Sequence, residues 1–111
     1  MIEVIILNHL KDVLSVPVYM EEPITPPVQY VLMEKTGSDR ENMINSSTFA
    51  FQSYDGTLYL TAMLNERVKA AVESLAELDE IGRVSLNSDY NFTDVTKKRH
   101  RYQAVYDITH Y

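Results

Sequence analysis

Residues 57–78 read TLYLTAMLNERVKAAVESLAEL, and their apolar letters recur as Leu60, Leu64, Val68, Ala71, Leu75 and Leu78. Steps of three and four place those side chains along one face of a helix, with Glu66, Lys69, Glu73 and Glu77 off the stripe. The spacing predicts a core-facing helix over 57–78. Asp55 or Thr57 is placed to accept its first free amide hydrogens, and Gly82 stands where a helix exit often turns left-handed. A helix with one apolar face must lie on something, so its flanks decide the fold.

Downstream, VSLNSDYNF (84–92) puts Val84, Leu86, Tyr90 and Phe92 on one side of a strand, and RYQAVYDITHY (101–111) does the same with Tyr102, Ala104, Tyr106 and Ile108. The Asn-, Asp- and Thr-rich letters between them make these two strands a hairpin. Upstream, STFAFQSY (47–54) alternates, with Phe49 and Phe51 on one face, and VQYVLMEKT (28–36) starts apolar on both faces, as a strand covered on both sides does. Between those two, TGSDRENMINSS (36–47) breaks the pattern. It reads as a loop or long hairpin tip of about ten residues, where most connections run to about four to six.

Further upstream, EEPITPP is a stiff connection, and Val16–Met20, containing Pro17, reads as a short edge strand. Residues 2–14 carry Ile2, Ile6, Leu10, Val13 and Leu14 at mostly helical steps, with the letters EVII leaving a strand as the rival reading. Helix, strand, strand, strand, helix, strand, strand predicts an α+β fold. We expect a single domain over residues 1–111, a mostly antiparallel sheet of about five strands and two helices packed on one face. Val31 and Met33 lie opposite Tyr30 and Leu32, so both sheet faces carry apolar groups, which points weakly to self-association.

A chain of 111 residues with a 45% hydrophobic share can form one core. The net charge of −6 and a pI near 4.9 argue against specific nucleic-acid binding, which needs many phosphate contacts from lysine and arginine. With no cysteine there is no disulfide, thiolate nucleophile or cysteine-ligated zinc. No apolar run approaches the roughly 18–20 residues of a membrane-spanning helix. The opening MIEVIILNHL has neither a basic leader nor a small-residue cleavage site, so no signal peptide is expected.

Catalytic patterns are thin. His9, His100 and His110 lack metalloprotease spacing, and about ten strand residues would hold His100 and His110 roughly 33 Å apart. GxSxG and glycine-rich phosphate motifs are absent, and three glycines leave few places for close backbone approach. Glu21–Glu22 and Asp79–Glu80 read as solvated charges rather than acid–base pairs. No metal, no cofactor and no enzymatic activity are expected. The run KKRHR (97–101), flanked by Phe92 and Tyr102, fits a solvated turn, a contact with acidic groups of another subunit such as Glu77, Asp79 and Glu80, or a nucleic-acid surface. The acidic remainder of the chain opposes the last.

Taken in order, the opening helix, VPVYMEEP, YVLMEKTGS, FAFQSY, LNERVKAAVESL and LNSDYNFTDVTKKRHRYQAVYDITHY resemble the tail terminator family of long-tailed phages and prophages of Gram-positive bacteria, also called tail completion or tail-to-head joining proteins. The resemblance covers essentially the whole chain, although no single part is a catalytic signature. It implies a non-enzymatic α+β subunit that forms a ring, commonly of six copies, at the head-proximal end of the tail tube. The ring stops tube polymerisation and offers a surface on which the head docks. Implied partners are copies of itself, the tail-tube protein and head or neck connector proteins; the implied place is the virion tail, after synthesis in the host cytoplasm. The expected interface residues are Asp39, Arg40, Glu41 and Met43 in a segment that orders on assembly, and Glu77, Asp79 and Glu80 facing Lys97, Lys98 and Arg99 of a neighbour. A head completion or adaptor protein and a small intracellular regulatory or binding module are the alternatives.

Overall fold

The computed structural model describes residues 1–111. Helix α1 (Ile2–Val13) is followed by strands β1 (Val18–Tyr19), β2 (Tyr30–Glu41) and β3 (Ile44–Tyr54), then by helix α2 (Leu58–Glu73) with a 3-10 turn (Ser74–Glu77), and finally by β4 (Ile81–Asn91) and β5 (Arg101–His110). One five-stranded sheet runs in the order β1-β2-β3-β5-β4. Three of its pairings are antiparallel, and only the two-residue edge strand β1 lies parallel to its neighbour. The class is therefore α+β, with a mixed, mostly antiparallel sheet.

Cross-strand partners share a face, which sorts the side chains into two layers. Val31 and Met33 of β2, Phe49 and Phe51 of β3, and Ala104, Tyr106 and Ile108 of β5 join Ile6 and Leu10 of α1 and Leu64, Val68 and Leu75 of the second helical segment in one core. Each large side chain buried there contributes about 1.5–3 kcal/mol relative to exposure. The Phe51 ring meets Tyr106 edge-on, with centroids 6.1 Å apart. Tyr106 carries its hydroxyl to the far side of the core, where it donates to Glu73 at 2.5 Å.

Helix α2 starts where the sequence places it. Thr57 is the N-cap, and its hydroxyl accepts from the Leu60 amide at 3.1 Å. The buried stripe, however, begins at Thr61 rather than Leu60; Leu60 is exposed and Leu78 only half-buried. Polar groups complete this face: Asn65 and Lys69 reach Asp89 of β4 at 2.7 and 2.6 Å.

Two expectations are corrected. Gly82 is not a helix exit and has no positive φ; it lies in β4, where an added Cβ would sit 2.8 Å from the Thr109 hydroxyl, so its role is close packing. A bulge between Leu86 and Ser88 shifts the β4 register, so Tyr90 and Phe92 do not share a side with Val84 and Leu86. Tyr90 instead pairs with Gln103 on the face away from the helices.

That second face is knitted together by polar groups. Thr48 and Asn87 donate to the two oxygens of Asp107 at 2.7 and 3.0 Å. Arg101 donates to Tyr54, Tyr54 to Gln52, Gln52 to Gln103 and Gln103 to Tyr90. Leu32 and Val105 are half-buried among them, and Ala50, the cross-strand partner of Val105, is buried.

Candidate interaction surfaces at the two ends of the sheet

Residues 36–47 are not an irregular loop. β2 and β3 stay paired from Gly37↔Thr48 out to Glu41↔Ile44, with one register shift at Thr36, and a two-residue turn, Asn42–Met43, closes the ribbon. Both turn residues have positive φ, 49° and 68°, as the primed turns that match strand twist require. Asn suits the first position, but glycine is the usual choice for the second. Met43 occupies it with its side chain 79% exposed.

The opposite end of the sheet holds the basic run. Asp94 and Arg99 exchange two backbone hydrogen bonds of 3.0 Å, closing a four-residue turn over Val95–Lys98. The Asp94 carboxylate accepts from the Thr96 and Lys97 amides, and Lys98 takes a left-handed φ of 54°. Lys97 and Lys98 are exposed and make no ion pair.

Arg99 behaves differently from its neighbours. Its guanidinium donates to Glu22 at 2.6 Å and to the Tyr30 hydroxyl, while Tyr30 donates to the same Glu22 oxygen at 2.8 Å. The rings of Tyr30 and Tyr54, cross-strand partners, stack at 4.5 Å, and the Arg99 guanidinium lies 4.6 Å from the Tyr54 centroid. Arg99 thus fastens the β4–β5 connection to the segment before β2. Of the three basic residues expected at a subunit contact, Arg99 has partners within its own chain, and Lys97 and Lys98 have no ion pair.

Beside the latch lies a recess of about 300 Å³, lined by Pro26, Pro27, Val28, Tyr30 and Tyr54 together with the charged Asp55, Lys98 and Arg99. His100 also lines it, and its Nδ1 is shielded from water without a hydrogen-bond partner. Exposed apolar side chains gather at this end: Ile24 and Val28 before β2, Leu58 and Tyr59 at the start of α2, and Val95 in the turn.

The acidic groups lie at the other end. Glu77, Asp79 and Glu80 precede β4, whose first residue Ile81 pairs with His110; Asn45, next to the hairpin tip, pairs with His110 from the other side. Asp39, Arg40, Glu41 and Met43 therefore share an end with Glu77, Asp79 and Glu80, all exposed and none in an ion pair. The eleven residues of β3 separate the two ends by roughly 33 Å at 3.3 Å per residue, within a molecule measuring 44 × 25 × 24 Å.

Three titratable groups are shifted from their ordinary values. Burial, reinforced by Glu73, pushes the Tyr106 phenol well above its usual range. The hydrogen bonds that Lys69 donates to Asp89 and Glu66 raise its ammonium above the usual range. Burial, with the nearby charge of Lys35, lowers His110, whose Nε2 lies 2.9 Å from the Ser47 hydroxyl. No group of three or more histidine and carboxylate side chains converges as a metal site would require, and no helix is long and apolar enough to cross a membrane.

The sequence reading missed Glu22, Tyr30, Tyr54 and the proline wall. They become a unit only through the β2–β3 register and the fold-back of residues 94–99. A local signal did exist at the hairpin tip, where Asn42 precedes a break in strand alternation. Searches with the chain against protein-family models and against curated proteins find no match.

Proposed function

We propose that the chain is a non-enzymatic assembly subunit that joins copies of itself head to tail into a ring, in the manner of a phage tail terminator. The ring caps the head-proximal end of the tail tube, halts addition of tail-tube protein and presents a docking surface to head or neck connector proteins. A hexamer is the copy number that the family resemblance implies.

One observation carries the reading: the hairpin-tip end holds an excess of unpaired carboxylates, Asp39, Glu41, Glu77, Asp79 and Glu80 against Arg40, while the unpaired Lys97 and Lys98 lie at the opposite end of the sheet, too far away to meet them within one chain. Surfaces of this kind are satisfied by a neighbour in the same orientation, and such heterologous contacts generate rings when the rotation closes. Electrostatic complementarity also fixes register and suppresses wrong pairings. The net charge of −6 suits a ring through which nucleic acid passes without being gripped.

The test is to add purified subunit to polymerising tail-tube protein and measure tube lengths by electron microscopy. Shorter tubes with a ring at one end support the proposal. Lengths unchanged at saturating subunit exclude capping.

A further inference from the structure

We infer that Met43 is an anchor side chain, and that its receptor is the proline- and tyrosine-walled recess beside Lys98 on a second copy of this chain. The inference rests on the head-to-tail reading above and names the contact through which the copies join.

The turn geometry comes first. A left-handed φ of 68° costs an ordinary residue on the order of 1 kcal/mol, a cost glycine avoids. The side chain at this position is moreover apolar and four-fifths in water. Neither feature helps the isolated subunit, and the turn would close better with glycine. A flexible, polarizable thioether held at the end of a paired ribbon is suited to burial in a partner's pocket. Ile44, also exposed, and the ribbon behind it give the tip further apolar surface.

The recess offers Pro26, Pro27 and Val28 for apolar contact, with the buried Tyr30 and Tyr54 rings forming its rigid backing. Lys97 and Lys98 stand at its side of the molecule, alongside Asp55, and match the net negative charge of Asp39, Arg40 and Glu41, which precede Met43. Lys98 is the third non-glycine residue with positive φ, so all three such residues lie in the turns at the two facing ends. Tip and recess lie at opposite ends of the sheet, so the tip reaches the recess of another copy and never its own.

The experiment compares wild type with Met43→Gly by sedimentation velocity and thermal melting. The glycine variant should melt at the same temperature or higher, yet self-associate roughly tenfold to a hundredfold more weakly, the factor for losing one buried methionine. A second measurement uses the absence of native cysteine: Met43→Cys/Val28→Cys should form a covalent ladder of oligomers on oxidation, and either single variant should stop at dimer or below. Undiminished association of Met43→Gly, no self-association of wild type, or no ladder overturns the inference. A Met43→Gly protein that caps tubes as well as wild type refutes this contact and spares the capping role. Association that depends on Met43 but leaves tube length unchanged does the reverse.

Discussion

Replacing Arg99 by alanine separates a built-in latch from a loose surface charge. The ion pair with Glu22 joins side chains that are each about one-third exposed, so solvent screening limits it to about 0.2–1 kcal/mol. Stacking of the guanidinium on Tyr54, with Tyr30 at 5.6 Å, adds about 0.5–1 kcal/mol at a partly exposed position. Both depend on one group and overlap, so the combined loss is on the order of 1–2 kcal/mol. For a domain of this size that corresponds to a fall in Tm of roughly 5–10 °C. Circular dichroism melts measure it directly. Arg99→Lys retains the charge without the planar fork and should recover less than half of the loss. Lys97→Ala and Lys98→Ala, which break no ion pair, should leave Tm unchanged. An Arg99→Ala protein that melts within about 1 °C of wild type would refute the latch.

Other outcomes follow from the same structure. Thr57→Ala removes the hydroxyl that accepts the Leu60 amide and should cost about 1 kcal/mol in chemical denaturation, with the m-value unchanged. The folded state holds the Tyr106 phenol protonated beyond its ordinary range, so the unfolded chain loses that proton first; stability should fall as pH rises above about 10, and less steeply in Tyr106→Phe. His110 shows the converse: its lowered folded value means the unfolded chain gains a proton first, so stability should decline as pH drops below about 6.5. His110→Gln should flatten that decline in pH-dependent melts. Phe51→Ala, in the middle of the core, should cost about 3–5 kcal/mol and is read by the same melts.

The fold was legible because its signals are periodic. The Leu64, Val68, Ala71 and Leu75 spacing marks α2, and the alternation of Tyr102, Ala104, Tyr106 and Ile108 marks β5, whatever their neighbours do. Strand extent around the Asn42–Met43 turn was not, because β2 beyond Lys35 and β3 before Ser47 are polar apart from the exposed Ile44 and gain nothing from a core. Their ladder is held by backbone pairing, which leaves no hydrophobic period to read. The bulge at Asn87 was equally invisible, since one extra residue inverts a strand's faces without altering its composition. At the candidate surfaces, charge alone groups Lys97, Lys98 and Arg99 and does not show that Arg99 has partners in its own chain, since Glu22 and Tyr30 lie 77 and 69 positions away in sequence.

The proposed capping role is tested most directly by electron microscopy of phage particles assembled without this protein. The account predicts tails of abnormal length that carry no heads, restored to uniform, headed tails when the protein is supplied. Tails of normal length already joined to heads would contradict it.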